Sequence, residues 1–172
     1  MDFVNALKER IPDYAKDIRL NLDAVLARSS LDDADALGAG LAAAYAARSK
    51  TLVDAIRGSL SETDANAALS AAALMGMNNV WYPYVEMADD QDLKTQRAEL
   101  RMNAYATHGG VDKKRFELFA LAASIIGKCH FCVQSHYKLL KENGYTAQQL
   151  RDVGRIAAVV NAAAQAIAAE SA

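Results

Sequence analysis

Apolar residues recur along most of the chain at three- and four-residue spacing, the period of helices buried on one side. Met1 to Arg10 predicts a short helix stopped at Ile11-Pro12, and Asp13 to Arg28 resumes it with Tyr14, Ile18, Leu22 and Val25 as a buried stripe. Ser29-Ser30 marks a break, and Leu31 to Ala47 forms the next helix, with acidic residues in its first turn. After Arg48-Ser49-Lys50 come a helix over Thr51 to Leu60 and capping residues at Ser61 to Asp64. Ala65 to Leu74 is then interrupted by Gly76, and Met77 to Met87 carries the aromatic residues Trp81, Tyr82 and Tyr84. Ala88 to Thr95 reads as a polar connector, Gln96 to Ala104 follows, and His108-Gly109-Gly110 turns the chain. Val111 to Ile126 is a strongly apolar helix broken at Gly127. A helix then starts near Cys129 and ends at Asn143 with Gly144 as its cap, and Thr146 opens a last, alanine-rich helix to about Ala168.

Composition agrees with an all-α, compact helical domain over residues 1–172. Hydrophobic residues make up 52% of the chain but aromatic residues only 7%, and there are two prolines and nine glycines. A net charge of -2 offers no basic footprint for nucleic acid. No apolar run approaches the ~18 residues needed to span a membrane. The amphipathic start, MDFVNALKERIPDYAKDI, is unlike a signal peptide, so a cytoplasmic protein is expected. The halves echo one another at an offset of 80: Asp32, Leu41, Ala42, Ala43, Val53, Leu60 and Glu62 recur as Asp112, Leu121, Ala122, Ala123, Val133, Leu140 and Glu142. Residues 31–80 and 111–162 are thus candidates for an internal repeat, with Ser49 and Leu52 standing where Cys129 and Cys132 stand. Alanine-rich helices also match readily by chance.

Chemistry gathers in Glu117 to Gly144, which contains both cysteines of the chain. Cys129-x-x-Cys132 lies at a predicted helix N-terminus, where unpaired N–H groups and the dipole favour a thiolate. His136 is four residues after Cys132, on the same helical face, and can accept or relay its proton. Glu117, alone in an apolar run, can reach the same pocket from the preceding helix. Its surroundings predict a raised pKa and proton exchange with the imidazole near neutrality.

The order Glu117, eleven residues, Cys129-x-x-Cys132, three residues, His136 resembles the alkylhydroperoxidase D family of the carboxymuconolactone decarboxylase-like superfamily. Met77-Asn78-Asn79-Val80 and Leu100-Arg101-Met102-Asn103 agree with that resemblance. It implies an internally duplicated helical fold and a homotrimer. It also implies antioxidant reduction of hydroperoxides, with no bound cofactor and no metal. Electrons would come from dihydrolipoamide on a lipoyl-bearing dihydrolipoamide acyltransferase, and the partner would be the peroxiredoxin alkyl hydroperoxide reductase C. By the same resemblance Cys132 meets peroxide and becomes a sulfenic acid, and Cys129 resolves it as a Cys129–Cys132 disulfide. His136 and Glu117 form the proton relay. Some members carry histidine just before the second cysteine; here that residue is Phe131, expected to pack, while His130 is expected at the mouth of the site without a catalytic role.

Two rivals remain at this point. One is a zinc-binding module with Cys129, Cys132 and His136 as ligands and His130 or Glu117 as a fourth, although no second ligand pair accompanies the CxxC. The other is a lactone decarboxylase, which would need no cysteine pair. Elsewhere the bland readings are preferred: His108 in a turn, the acidic Asp89, Asp90 and Asp92 as solvated surface, and Lys138, Lys141 and Arg151 as solvated charges. Trp81, Tyr82 and Tyr84 are expected in the core or at a subunit contact.

Overall fold

The computed structural model describes residues 2–170, and capping side chains and short polar breaks divide these described residues into ten α-helices. These are α1 (Asp2–Glu9), α2 (Lys16–Ala27), α3 (Asp33–Ala46), α4 (Lys50–Arg57), α5 (Glu62–Ala88), α6 (Gln91–Thr95), α7 (Asn103–Thr107), α8 (Lys113–Gly127), α9 (His130–Glu142) and α10 (Ala147–Ala169). There is no strand among the described residues. Asp32, Ser49, Ser61, Asp90 and Asp112 each accept the N–H of the residue three further on, satisfying a donor that the first helical turn leaves free. Thr146 and Gln149 form a reciprocal capping box at the start of α10.

The centre is built from α3, α5, α8 and α10. The middle of α3 (residues 35–44) and of α8 (residues 116–124) is buried without a break, as expected for stretches that are apolar all round. Small residues let these helices approach. A methyl group at Gly38 would sit 2.2 Å from the buried Phe119 ring, and one at Gly127 would sit 2.6 Å from Asn79 Cβ. Position 127 therefore has to be glycine where Asn79 of α5 passes close, and it is Lys128, with φ 54°, that turns the chain.

Two expectations are corrected. Tyr14 is 72% exposed and outside the buried stripe, because residues Asp13–Ala15 form a 3-10 turn that breaks the α2 register; its hydroxyl donates to Glu170 at 3.0 Å. Leu22 and Val25 are buried as expected. Gly76 does not interrupt a helix: α5 runs unbroken through it, with the buried Met75 and Asn78 beside it outweighing a helical cost of about 1 kcal/mol for glycine. Of the two places expected for Trp81, Tyr82 and Tyr84, the buried core is not where they lie: Trp81 and Tyr82 are partly exposed and Tyr84 is exposed, on the second half of α5. The polar stretch holds a short helix, α6, and Asp89 and Asp90 serve as the cap residues on either side of the bend.

The same local devices occur 80 residues apart, the spacing of the sequence echo. Arg48 and Lys128 share a left-handed backbone, with φ 60° and 54°. Ser49 N–H reaches Ala44 O at 3.0 Å, and Cys129 N–H reaches Ser124 O at 3.4 Å. Ser49 caps α4, and Cys129 caps α9.

Arg115 ties these elements together, donating to Asp35 (2.8 Å), Asp64 (3.2 Å) and Asp32 (3.3 Å), while Tyr145 donates to the other Asp35 oxygen at 2.8 Å. Burial and the nearby Asp32 charge push the Asp35 carboxyl above its ordinary pKa despite these donors.

Candidate active site

The α8–α9 turn delivers the cysteines. Lys128 reverses the chain in the left-handed conformation, so Cys129 becomes the N-cap of α9 and Cys132 completes its first turn. The two sulfurs form a disulfide, with Cα atoms 5.3 Å apart, and both residues are buried. Cys129 Sγ accepts the Cys132 N–H at 3.2 Å and lies 3.9 Å from Asn78 O on α5. The helix-terminal amide is thus aimed at the Cys129 sulfur, where it favours an anion once the pair is reduced.

His136 and Glu117 meet as expected, with Nδ1 and Oε2 2.5 Å apart and Glu117 only 1% exposed. The direction of the Glu117 shift is the reverse of expectation. Burial does push the carboxyl up, but the His136 and Tyr105 hydrogen bonds, with the His136 and Lys113 charges, reverse this and hold its pKa below the ordinary value. Glu117 is an anion at neutral pH, so His136 Nδ1 donates to it. That fixes the ring and its tautomer rather than making Glu117 the proton carrier.

Two neighbours went unnoticed in the sequence. Tyr105, on α7, donates its hydroxyl to Glu117 Oε1, and its own pKa is pushed up by burial and by that carboxylate. Met75 Sδ, on α5, lies 3.3 Å from His136 Nε2. Each ring nitrogen therefore faces an acceptor, and Cys132 is one helical turn back on the same face of α9. Met75 belongs to an apolar helical pattern and Tyr105 to an irregular connector, so neither carried a motif. What betrays them is the cross-helix contact.

His130 is exposed, with Nδ1 3.1 Å from Glu86 Oε1, and takes no part in the buried relay. Phe131 is 53% exposed and stacks on Tyr82 with ring centroids 4.3 Å apart, so it does pack, but at the surface. Among the described residues no group of three or more His, Cys, Asp or Glu side chains is arranged to hold a metal ion. No helix among them is long and apolar enough to cross a membrane. His108 sits in a turn, as the glycines suggested. Arg151 stays 59% exposed, a solvated charge as expected, while pairing with Asp152 at 3.0 Å.

A buried dithiol at a helix start, backed by a carboxylate–imidazole pair in an all-helical frame, defines a class that sequence comparison also finds. The model of the carboxymuconolactone decarboxylase family matches residues 91–172. Beyond that half, proteins named alkyl hydroperoxide reductase AhpD align along nearly the whole chain. That of Rhodospirillum centenum is 43% identical over 98% of this chain and 92% of its own. That of Maricaulis maris is 42% identical over 98% and 99%, and that of Coxiella burnetii 40% over 92% and 93%. The chain belongs to the AhpD family.

Proposed function

We propose that the chain is an antioxidant oxidoreductase that reduces hydroperoxides through Cys129 and Cys132. The observation that carries this is the buried disulfide at the start of α9 beside the Glu117–His136 pair. In the reduced protein the Cys132 thiolate attacks the outer peroxide oxygen. The O–O bond breaks, Cys132 becomes a sulfenic acid, and the departing alkoxide takes a proton relayed by His136. The Cys129 thiolate, stabilised by the Cys132 N–H, then attacks the Cys132 sulfur. Hydroxide leaves as water after protonation, and the disulfide seen here is the product. Glu117 holds the imidazole throughout.

A dithiol returns the two electrons. Dihydrolipoamide on a lipoyl-bearing dihydrolipoamide acyltransferase fits this need, and the peroxiredoxin alkyl hydroperoxide reductase C is the partner the chain would recycle. The working assembly is a homotrimer. Val80, Tyr84 and Met87, exposed along one face of α5, offer apolar surface for such a contact. The test is peroxide consumption with dihydrolipoamide as sole reductant. The wild type turns over and Cys132→Ser does not; equal activity in Cys132→Ser would remove the reading.

A further inference from the structure

The buried His136 ring is held on two sides by groups that only accept hydrogen bonds. Glu117 Oε2 on α8 lies 2.5 Å from Nδ1, and Met75 Sδ on α5 lies 3.3 Å from Nε2. An ionised carboxylate has no hydrogen to give, and a thioether sulfur never has one. Tyr105 from α7 reaches Glu117, and the cysteine pair stands at the start of α9 itself. Met75 is fully buried, and the Nδ2 amide of Asn78, which can only donate, faces the same sulfur from 4.0 Å. Asn78 O in turn lies 3.9 Å from Cys129 Sγ. One turn of α5 therefore backs both the imidazole and the disulfide.

A neutral imidazole carries one hydrogen for its two nitrogens. With Nδ1–H given to Glu117, a neutral ring would turn the Nε2 lone pair onto the lone pairs of Met75 sulfur. Solvent hardly reaches the ring, which is 7% exposed, so water does not relieve that contact. The doubly protonated ring donates to both neighbours, and its charge balances the Glu117 carboxylate. We infer that Met75 is a positioning residue whose thioether holds the Nε2–H of a charged His136 while the cysteines are in the disulfide form. The inference rests on the thiol-peroxidase reading above and names where the relayed proton waits. The Nδ1 proton is tied to Glu117, so the Nε2 proton is the one that moves. In the peroxide step the Nε2–H bond breaks, an O–H bond forms on the departing alkoxide, and the ring is left neutral with its hydrogen at Nδ1. The ring is charged again when it takes the proton of a cysteine thiol, which leaves the thiolate that meets the next peroxide. A thioether is a weak acceptor, so it orients the N–H without competing with an alkoxide or thiolate for the proton.

The test uses the full-length protein in its disulfide form at pH 7, with nitrogen-15 in the histidine rings and the His136 signals assigned by their loss in His136→Gln. Both wild-type ring nitrogens are expected at the shift of a protonated nitrogen. Met75→Leu keeps nearly the same volume and removes the acceptor. In it the Nε2 signal should move toward the unprotonated shift while Nδ1 stays. An unprotonated Nε2 in the wild type overturns the inference, and so does an Nε2 signal that Met75→Leu leaves unmoved. Selenomethionine keeps an acceptor at the site, so protein carrying it should retain the wild-type shifts and show a coupling between Nε2–H and selenium-77. That measurement needs no variant to fold, and absence of the coupling overturns the contact. Turnover is read separately: Met75→Leu should lose about tenfold in kcat with KM for cumene hydroperoxide within about twofold. An unchanged kcat overturns the positioning role. If the wild type consumes no peroxide, the peroxidase reading fails while the nitrogen shifts still decide where the proton waits.

Discussion

At the scale of single residues, the site depends on a carboxylate that stays ionised although almost no solvent reaches it. Glu117 manages this because one oxygen accepts the Tyr105 hydroxyl and the other meets His136. Tyr105→Phe removes one donor and leaves the ring, so the Glu117 pKa rises. The acid limb of the rate of thiol alkylation or peroxide reduction should then move to higher pH, with little change in the neutral-pH CD spectrum; an unmoved limb would show that Tyr105 only fills space. Glu117→Gln should slow turnover by about a hundredfold while leaving the disulfide able to form, as judged by turnover rate and thiol counts. The cysteine pair and His136 stood out by spacing, because CxxC at a helix start and an i+4 histidine are local patterns, whereas Glu117 stood out through its apolar surroundings and the family resemblance. The sign of the Glu117 shift was not legible. An apolar sequence context predicts desolvation, whereas the donors that outweigh it come from α7 and α9 through the fold.

At the scale of elements, helix starts were readable and helix interiors were less so. Thr146 and the Ser61 to Asp64 stretch cap as read, since an N-cap bond reaches only three residues along the chain, while Asp32, Ser49 and Asp112 prove to be caps the reading did not single out. Glycine was misread because its role here is distance between helices. Gly76 lies open within α5, whereas Gly38 and Gly127 let Phe119 and Asn79 approach. Gly38→Ala would force the buried Phe119 ring aside and should destabilise the protein by about 1–3 kcal/mol in denaturant melts, despite alanine's better helix propensity. A stabilised variant would contradict this packing.

For the whole molecule, charge networks bind the helices into one frame, and acid should loosen it. Asp152 is buried on α10 and accepts the Ser30 N–H (2.9 Å) and hydroxyl (2.7 Å) and the guanidinium groups of Arg151 and Arg155 (both 3.0 Å). Burial pushes its carboxyl up, but these donors outweigh it and hold the pKa well below the usual carboxylate range. The folded state therefore binds fewer protons than the unfolded chain in this window. The stabilisation is complete above the ordinary value near 4 and is lost as pH falls through the lower folded value. Glu117 acts in the same sense, and Asp35, with its raised pKa, in the opposite one. Melting temperature should fall steeply below about pH 4, and Asp152→Asn should be less stable at pH 7 with a shallower acid slope. Arg115→Ala, which leaves Asp35 buried beside one donor, should cost about 3 kcal/mol in chemical denaturation at pH 7.

The chemistry itself turns on which sulfur meets the oxidant. In Cys129→Ser, one equivalent of peroxide followed by a sulfenic-acid-specific probe and peptide mass spectrometry reads this out residue by residue. The account predicts a single probe adduct on Cys132. No adduct there, with the thiol still free after peroxide, would contradict it.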